Sequence, residues 1–204
     1  MSMKNYEFPG EFHRLYRQAV ESYAKGQRSS DGLFSPLERD WIAAHGLTTQ
    51  HLFDYAEDHN NYGGEPGFEH ALSIELVRRD YFINVQGGRP SGRILEESSL
   101  PAKDEAVRGV AWLPRLLPKA KAKLRGELPA SLMFGCGGDR NFFKTHDLLP
   151  AQFLAVVSRH LDDDAAVVDW VVRHSVVNPQ GHVQWRPGNN LSTLFRHATR
   201  NAAA

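Results

Sequence analysis

The chain has 204 residues, enough for one generous domain or two small ones with a real core. A hydrophobic share of 41% and a charged share of 24% exclude a disordered polyelectrolyte. With 24 Lys and Arg against 24 Asp and Glu, no overall field favours nucleic acid or an anionic membrane. The one cysteine, Cys136, excludes an internal disulfide and fits a reducing compartment. The opening stretch MSMKNYEFPGEF lacks the apolar core of a secretory signal, and no window reaches the apolar length of a spanning helix. The expectation is a soluble, cytoplasmic protein with no membrane partner.

The first helix is expected from near Pro9 to Gly26, with Phe12, Leu15, Tyr16, Ala19, Val20 and Tyr23 on one apolar face. Ser35-Pro36-Leu37-Glu38 reads as a capping box opening a second helix, which carries Trp41 and Ile42 inward and stops at Gly46. Thr48 or Thr49 caps a third helix with Leu52, Phe53 and Tyr55 inward. After a glycine-rich break around Pro66 comes a fourth, FEHALSIELVRRDYFINV, expected to be the most apolar of this half. Periodicity is lost from Gln86 to about Lys103, a stretch rich in Gly, Pro and Ser that reads as a linker.

The second half opens with LPRLLPKAKAKLRG, where Leu113, Leu116, Leu117, Ala120 and Leu124 share a side and Arg115, Lys119, Lys123 and Arg125 spread over the rest. Pro118 inside it predicts a kink or a late start. Asp139 is expected to cap RNFFKTH, Pro150 to open the next helix, and Asp162-Asp163-Asp164 to start a last strong one. Beyond His174 the pattern predicts a loop and one short helix near Leu191 to Ala198.

Sliding the sequence over itself by 101 positions lays Glu38–Phe53 on Asp139–Leu154 without a gap. Arg39 then meets Arg140, Trp41 meets Phe142, His45 meets His146 and Leu47 meets Leu148. The same shift pairs Arg14 with Arg115, Leu15 with Leu116 and Ala19 with Ala120. A pseudo-duplication of one helical unit is therefore expected, with a groove between the copies as the natural ligand site.

The run WLPRLLPKAKAKLRGELP, followed by GCGGDRNFF and DDDAAVVDWV, resembles an uncharacterised bacterial domain-of-unknown-function family. The pattern is a Leu-Pro-Arg helix with a Lys-Ala pair, a glycine, an Asp-led helix and an acidic start to a helix with Trp. Here it falls on Leu113, Pro114, Arg115, Lys119, Ala120, Gly126, Asp139 and Trp170, within about 110–174, with Pro118 where the pattern has an acidic residue. The resemblance implies a helical fold and a bacterial source. It carries over no activity, cofactor or catalytic residue.

Candidate chemistry gathers on the third helix, where His51, Asp54 and Asp58 lie three and four residues apart on one face, with Glu57 and His59 beside them. Imidazole with carboxylates suits a transition metal or a general acid–base pair, and Glu69, His70 and Glu75 on the next helix could complete a site. The plainer reading is a solvated acidic face. Arg78 and Arg79 could hold an anionic ligand, or simply complement a helix C-terminus. Arg115 and Lys119 are further ligand candidates, although Arg14 and Arg115 read better as partners of Glu38 and Asp139. Cys136 between glycines is a candidate nucleophile without an assignable base. Lys119 to Arg125 could touch nucleic acid, a partner the absence of any accompanying motif does not favour. His45 and His146 read as helix-ending residues.

The sequence therefore points to an all-α protein of two related helical units with few or no strands. The expected divisions are an N-terminal unit at 1–88, a linker at 89–106, a C-terminal unit at 107–176 and a tail at 177–204. No cofactor is specified. The leading function is a non-catalytic module for a protein partner or a small anionic ligand; the alternative is an enzyme using His51, Asp54 and Asp58, with or without metal.

Overall fold

The chain's first helix forms because its apolar positions recur at three and four residues, and the same spacing sets most of the other helices. The computed structural model describes residues 5–177. Among them are eight α-helices and one two-stranded antiparallel hairpin, so the protein is mainly helical with few strands. In order these are α1 (Phe8–Ala24), α2 (Pro36–Ala44), α3 (Thr49–Asn61), α4 (Gly67–Asn84), β1 (Ala106–Val107), β2 (Val110–Ala111), α5 (Leu113–Arg125), α6 (Gly137–His146), α7 (Pro150–Arg159) and α8 (Asp164–His174). No described helix is long and apolar enough to cross a membrane. The short helix expected near Leu191 to Ala198 lies outside the described residues.

The described residues up to Ser99, with Ala122–Gly137, form one compact unit. In it, α1 buries Phe8, Phe12, Leu15, Tyr16, Ala19 and Tyr23 against a core that includes Ile42, Leu47, Leu52 and Tyr55. Each phenylalanine, leucine and isoleucine among them contributes about 1.5–3 kcal/mol relative to exposure. The capping box forms as expected: Ser35 Oγ accepts from the Glu38 amide, and Glu38 Oε2 accepts from the Ser35 amide at 2.8 Å. Thr48 caps α3 by accepting from the His51 amide. At the end of α2, Gly46 has φ 76°, and a Cβ there would lie 2.4 Å from the Phe82 ring, so only glycine fits. Helix α4 departs from expectation, because Glu75, Arg78 and Arg79 are buried in it beside Ala71, Ile74 and Phe82. The glycine- and serine-rich stretch is tied down as well: the Leu95 amide donates to Glu127 O at 2.7 Å and Ser131 Oγ donates to Glu97.

Leu100–Lys121 and the described residues from Gly138 onward form the other unit. Arg108 and Gly109 join β1 to β2 with φ of 52° and 79°, the left-handed pair that a two-residue hairpin turn requires. Helix α5 starts at Leu113 rather than after Pro118, which lies inside it. Helix α6 starts at Gly137, so Asp139 sits in its first turn instead of capping it. Asp163 caps α8 by accepting from the Ala166 amide. Val110, Leu113, Leu116, Phe142, Phe143, Phe153, Leu154, Val157, Val167 and Val171 are buried in this unit.

Several boundaries recur at the separation found in the sequence. Helices α1 and α5 end at Ala24 and Arg125, α2 and α6 begin at Pro36 and Gly137, and α3 and α7 begin at Thr49 and Pro150. Gly46 and Asp147 both turn left-handed, the one after α2 and the other after α6. The amide after each one reaches back five residues, Leu47 to Ile42 O at 3.1 Å and Leu148 to Phe143 O at 2.9 Å.

Candidate functional site

The first unit holds a buried charge cluster built from α3, α4 and the last turn of α5. Glu75 is fully buried, and its Oε1 accepts from Lys123 Nζ at 2.5 Å and from Tyr55 Oη at 2.8 Å. His51 Nδ1 stands 3.7 Å from the same oxygen and, like Glu75 Oε2, makes no hydrogen bond. Desolvation raises the Glu75 carboxyl, but the Lys123 ammonium, His51 and the Tyr55 hydrogen bond together outweigh it and the net shift is downward. Burial drives the His51 imidazole down to about 3, with Lys123 adding to the effect, so this histidine is neutral. Asp54 receives a hydrogen bond from Gln50 at 2.7 Å, yet burial raises it to about 7. His51, Asp54, Tyr55 and Lys123 border a void of about 10 Å³, room for one water molecule.

The cluster sorts the residues singled out in the sequence. His51 and Asp54 do meet at one small void, which Asp58 does not line. His70 is exposed in the first turns of α4. Among the described residues no three His, Cys, Asp or Glu side chains come together in a group that could hold a metal ion. Arg78 is buried, donates to Gln86 Oε1 at 3.0 Å and lies over the Phe82 ring; desolvation lowers it to about 10. Arg79 is buried too, donating to Asn5 and lying over Phe8. Neither arginine is the outward-facing ligand group one of them could have been. Cys136 is half-buried between glycines.

Two further expectations are corrected by the charged residues of α5 and their partners. Asp139 is fully buried, and its partners are Lys119 Nζ at 2.6 Å and Trp112 Nε1 at 2.9 Å; Arg115 donates instead to Pro101 O. Arg14 does pair with Glu38, at 2.8 Å. Lys119 and Lys123, read as solvent-facing cations, are only 1% and 2% exposed. Lys121 pairs with Asp164 at 2.7 Å. The basic helix therefore uses most of its charge on the protein's own carboxylates.

A cleft in this unit was not singled out from the sequence. It has a volume of about 410 Å³ and is lined by Lys103, the hairpin residues Gly109 and Ala111, Trp112, and five residues of α6. Those five are Gly138, Asn141, Phe142, Thr145 and His146, spaced by three and four, so they form a single helix face. Trp112 joins the hairpin to α5 with φ 70°, a left-handed conformation that costs a non-glycine residue about 1–2 kcal/mol. The surroundings hold it there. Its amide donates to Glu105 O, its carbonyl accepts from Leu116, and its indole lies against Gly138, where a Cβ would come within 2.4 Å of the ring.

At the far end of that face, His146 stacks obliquely on Phe142 with ring centroids 4.5 Å apart, and its Nδ1 lies 2.7 Å from Ser175 Oγ. Burial lowers its basicity, which keeps the ring neutral near pH 7. The signal for this face was present as the spacing of Gly138, Asn141, Phe142, Thr145 and His146. The aromatic wall from Trp112 depends on the β1–β2 hairpin, for which the sequence carries no strand pattern.

Residues 99–189, a little under half of the chain, match the model of a family described as a domain of unknown function (DUF5069). That stretch contains all of 110–174, on which the resemblance in the sequence rests. No curated protein and no solved structure matches the chain.

Proposed function

We propose that the protein is a non-catalytic binding module of the cytoplasm whose second unit holds a small, planar, anionic ligand in the cleft beside Trp112. The observation that carries this reading is the cleft itself: about 410 Å³, the size of a small-molecule site, with an indole wall and convergent polar groups. Trp112 offers a flat apolar face for a ring. Lys103, at the cleft, has no ion-pair partner among the described residues and supplies the positive charge. Asn141 and Thr145 add hydrogen-bonding groups on the same helix face. A small ligand is favoured over nucleic acid because Lys119 and Lys123 are already buried against carboxylates.

The test is titration of the ¹⁵N-labelled full chain with nicotinate and benzoate. Roughly millimolar binding is expected for molecules of this size. Amide shifts should cluster at 109–112 and 138–146, and Trp112→Ala should remove them. Shifts scattered elsewhere, or none, would refute the reading.

A second reading, acid–base chemistry on α3, is favoured by the Asp54 carboxyl raised to about 7 by burial. It ranks lower because the adjoining void of about 10 Å³ admits a water molecule and no substrate.

A further inference from the structure

Ser175 determines which nitrogen of His146 carries the proton. Its Oγ lies 2.7 Å from Val177 O, 3.0 Å from Val177 N and 2.7 Å from His146 Nδ1. A hydroxyl has one proton to donate and two lone pairs to accept with. The Val177 carbonyl can only accept, so it receives the Ser175 proton. The Val177 amide can only donate, and it occupies one lone pair. The remaining lone pair meets His146 Nδ1, which must therefore be the protonated nitrogen. A neutral imidazole has one N–H, so Nε2 is left bare.

Ser175 is fully buried and His146 only 9% exposed, which fixes the arrangement on one side of the ring. His146 lines the cleft, and with Nδ1 turned to the serine Nε2 lies on the other edge of its ring. No described residue hydrogen-bonds to that atom.

Given that the cleft is the binding site, as proposed above, we infer that His146 selects its ligand by accepting a hydrogen bond at Nε2. The ligand class is thereby narrowed to small planar carboxylates that also carry an N–H or O–H donor, with the acid near Lys103 and the donor toward His146. Ser175 is the positioning residue. It touches no ligand and acts by keeping the proton on Nδ1. A pocket made to accept a hydrogen bond discriminates strongly against an isostere without the donor, since its own buried acceptor is then left unpaired.

Two measurements on the full chain test this. The first is ¹⁵N spectroscopy of the imidazole rings at pH 7.5, with the His146 signals assigned through His146→Gln. A proton on Nδ1 is expected, and Ser175→Ala should release it toward Nε2; a wild-type ring protonated at Nε2 overturns the inference. The second compares pyrrole-2-carboxylate with furan-2-carboxylate, alike in shape and charge except that the ring N–H becomes a bare oxygen. The wild type should bind the pyrrole at least about tenfold more tightly. Ser175→Ala and His146→Phe should abolish that preference while furan binding persists. Equal binding of both acids, each moving the amides of Asn141 and Thr145, overturns the role of His146 and leaves the cleft reading standing. If neither acid moves those amides, the cleft reading fails and takes the inference with it.

Discussion

Replacing Lys123 with methionine keeps most of the side-chain volume and removes the ammonium that faces Glu75. Glu75 is fully buried, and the donors on its Oε1 are Lys123 at 2.5 Å and the Tyr55 hydroxyl at 2.8 Å, while Oε2 has no partner. Removing one member of such a pair leaves an uncompensated buried charge, a loss of about 3–5 kcal/mol. The pH dependence carries the sharper signature. In the wild type Glu75 is held below its ordinary value, so its contribution is present above the unfolded pKa and is lost as pH falls. In Lys123→Met the Tyr55 hydrogen bond and His51 remain, but desolvation, the largest influence, loses its main opponent, so the pKa rises above the unfolded value. The penalty is then small at acidic pH and grows as pH rises toward the new pKa. Urea unfolding of both chains from pH 4.5 to 8, monitored by far-ultraviolet circular dichroism, should give curves that diverge with increasing pH. Lys123→Met combined with Glu75→Leu should recover most of the loss, because removing both members of a buried pair is close to neutral. A single-variant cost below about 1 kcal/mol that does not vary with pH would refute the assignment of Lys123 as the buried counter-ion.

Asp54→Asn should act with the opposite sign. The wild-type carboxyl is raised from 3.8 to about 7, so wild-type stability falls between those values and the variant should gain on it from pH 5 to 8, on the order of 2–4 kcal/mol. Parallel stability profiles for the two chains would contradict the burial of that carboxyl. Gly138→Ala places a methyl 2.4 Å from the Trp112 ring and should cost about 1–3 kcal/mol while shifting tryptophan emission as the indole is pushed away. Unchanged emission would mean that the indole does not rest on that backbone. Arg14→Ala should lose less than about 1 kcal/mol despite its contacts with Glu11 and Glu38, because the guanidinium side chain is 48% exposed. A larger loss in urea unfolding would show that the pair does more than decorate the surface.

Helix positions were legible wherever a local signal set them. The capping box at Ser35 and Glu38, the threonine cap of α3 and the acidic cap of α8 each depend on a few consecutive residues, and each formed where the sequence placed it. The late start read from Pro118 and the cap read from Asp139 failed because a local rule met a tertiary one. The helix continues through Pro118 with Leu116, Leu117 and Ala120 buried around it, and Asp139 was drawn from capping into a buried bond with Lys119. Gln18 donates to Glu38 and Lys119 to Asp139, two pairs 101 positions apart, the first half-buried and the second fully buried.

The site was harder to see, for a reason that angles make plain. At about 100° per residue, Lys123 falls roughly 20° from Leu116 around α5, inside the apolar arc rather than opposite it. Lys119 falls about 60° from Leu116, on the arc's edge. Grouping the lysines with Arg115 and Arg125 as one basic surface overlooked this. A cation on a buried stripe cannot stay unpaired, so its position alone demands a carboxylate partner. Glu75, Arg78 and Arg79 raised the same demand on α4, where they alternate with Ala71, Ile74 and Phe82. What no angle supplies is the identity of the partner. Lys123 finds Glu75 forty-eight positions away and Lys119 finds Asp139 twenty away, and those pairings are fixed only when the helices pack. The same holds for His146. Its place on the α6 face comes from spacing, but the bare nitrogen it presents depends on Ser175, twenty-nine residues on, and on where that one hydroxyl proton must go.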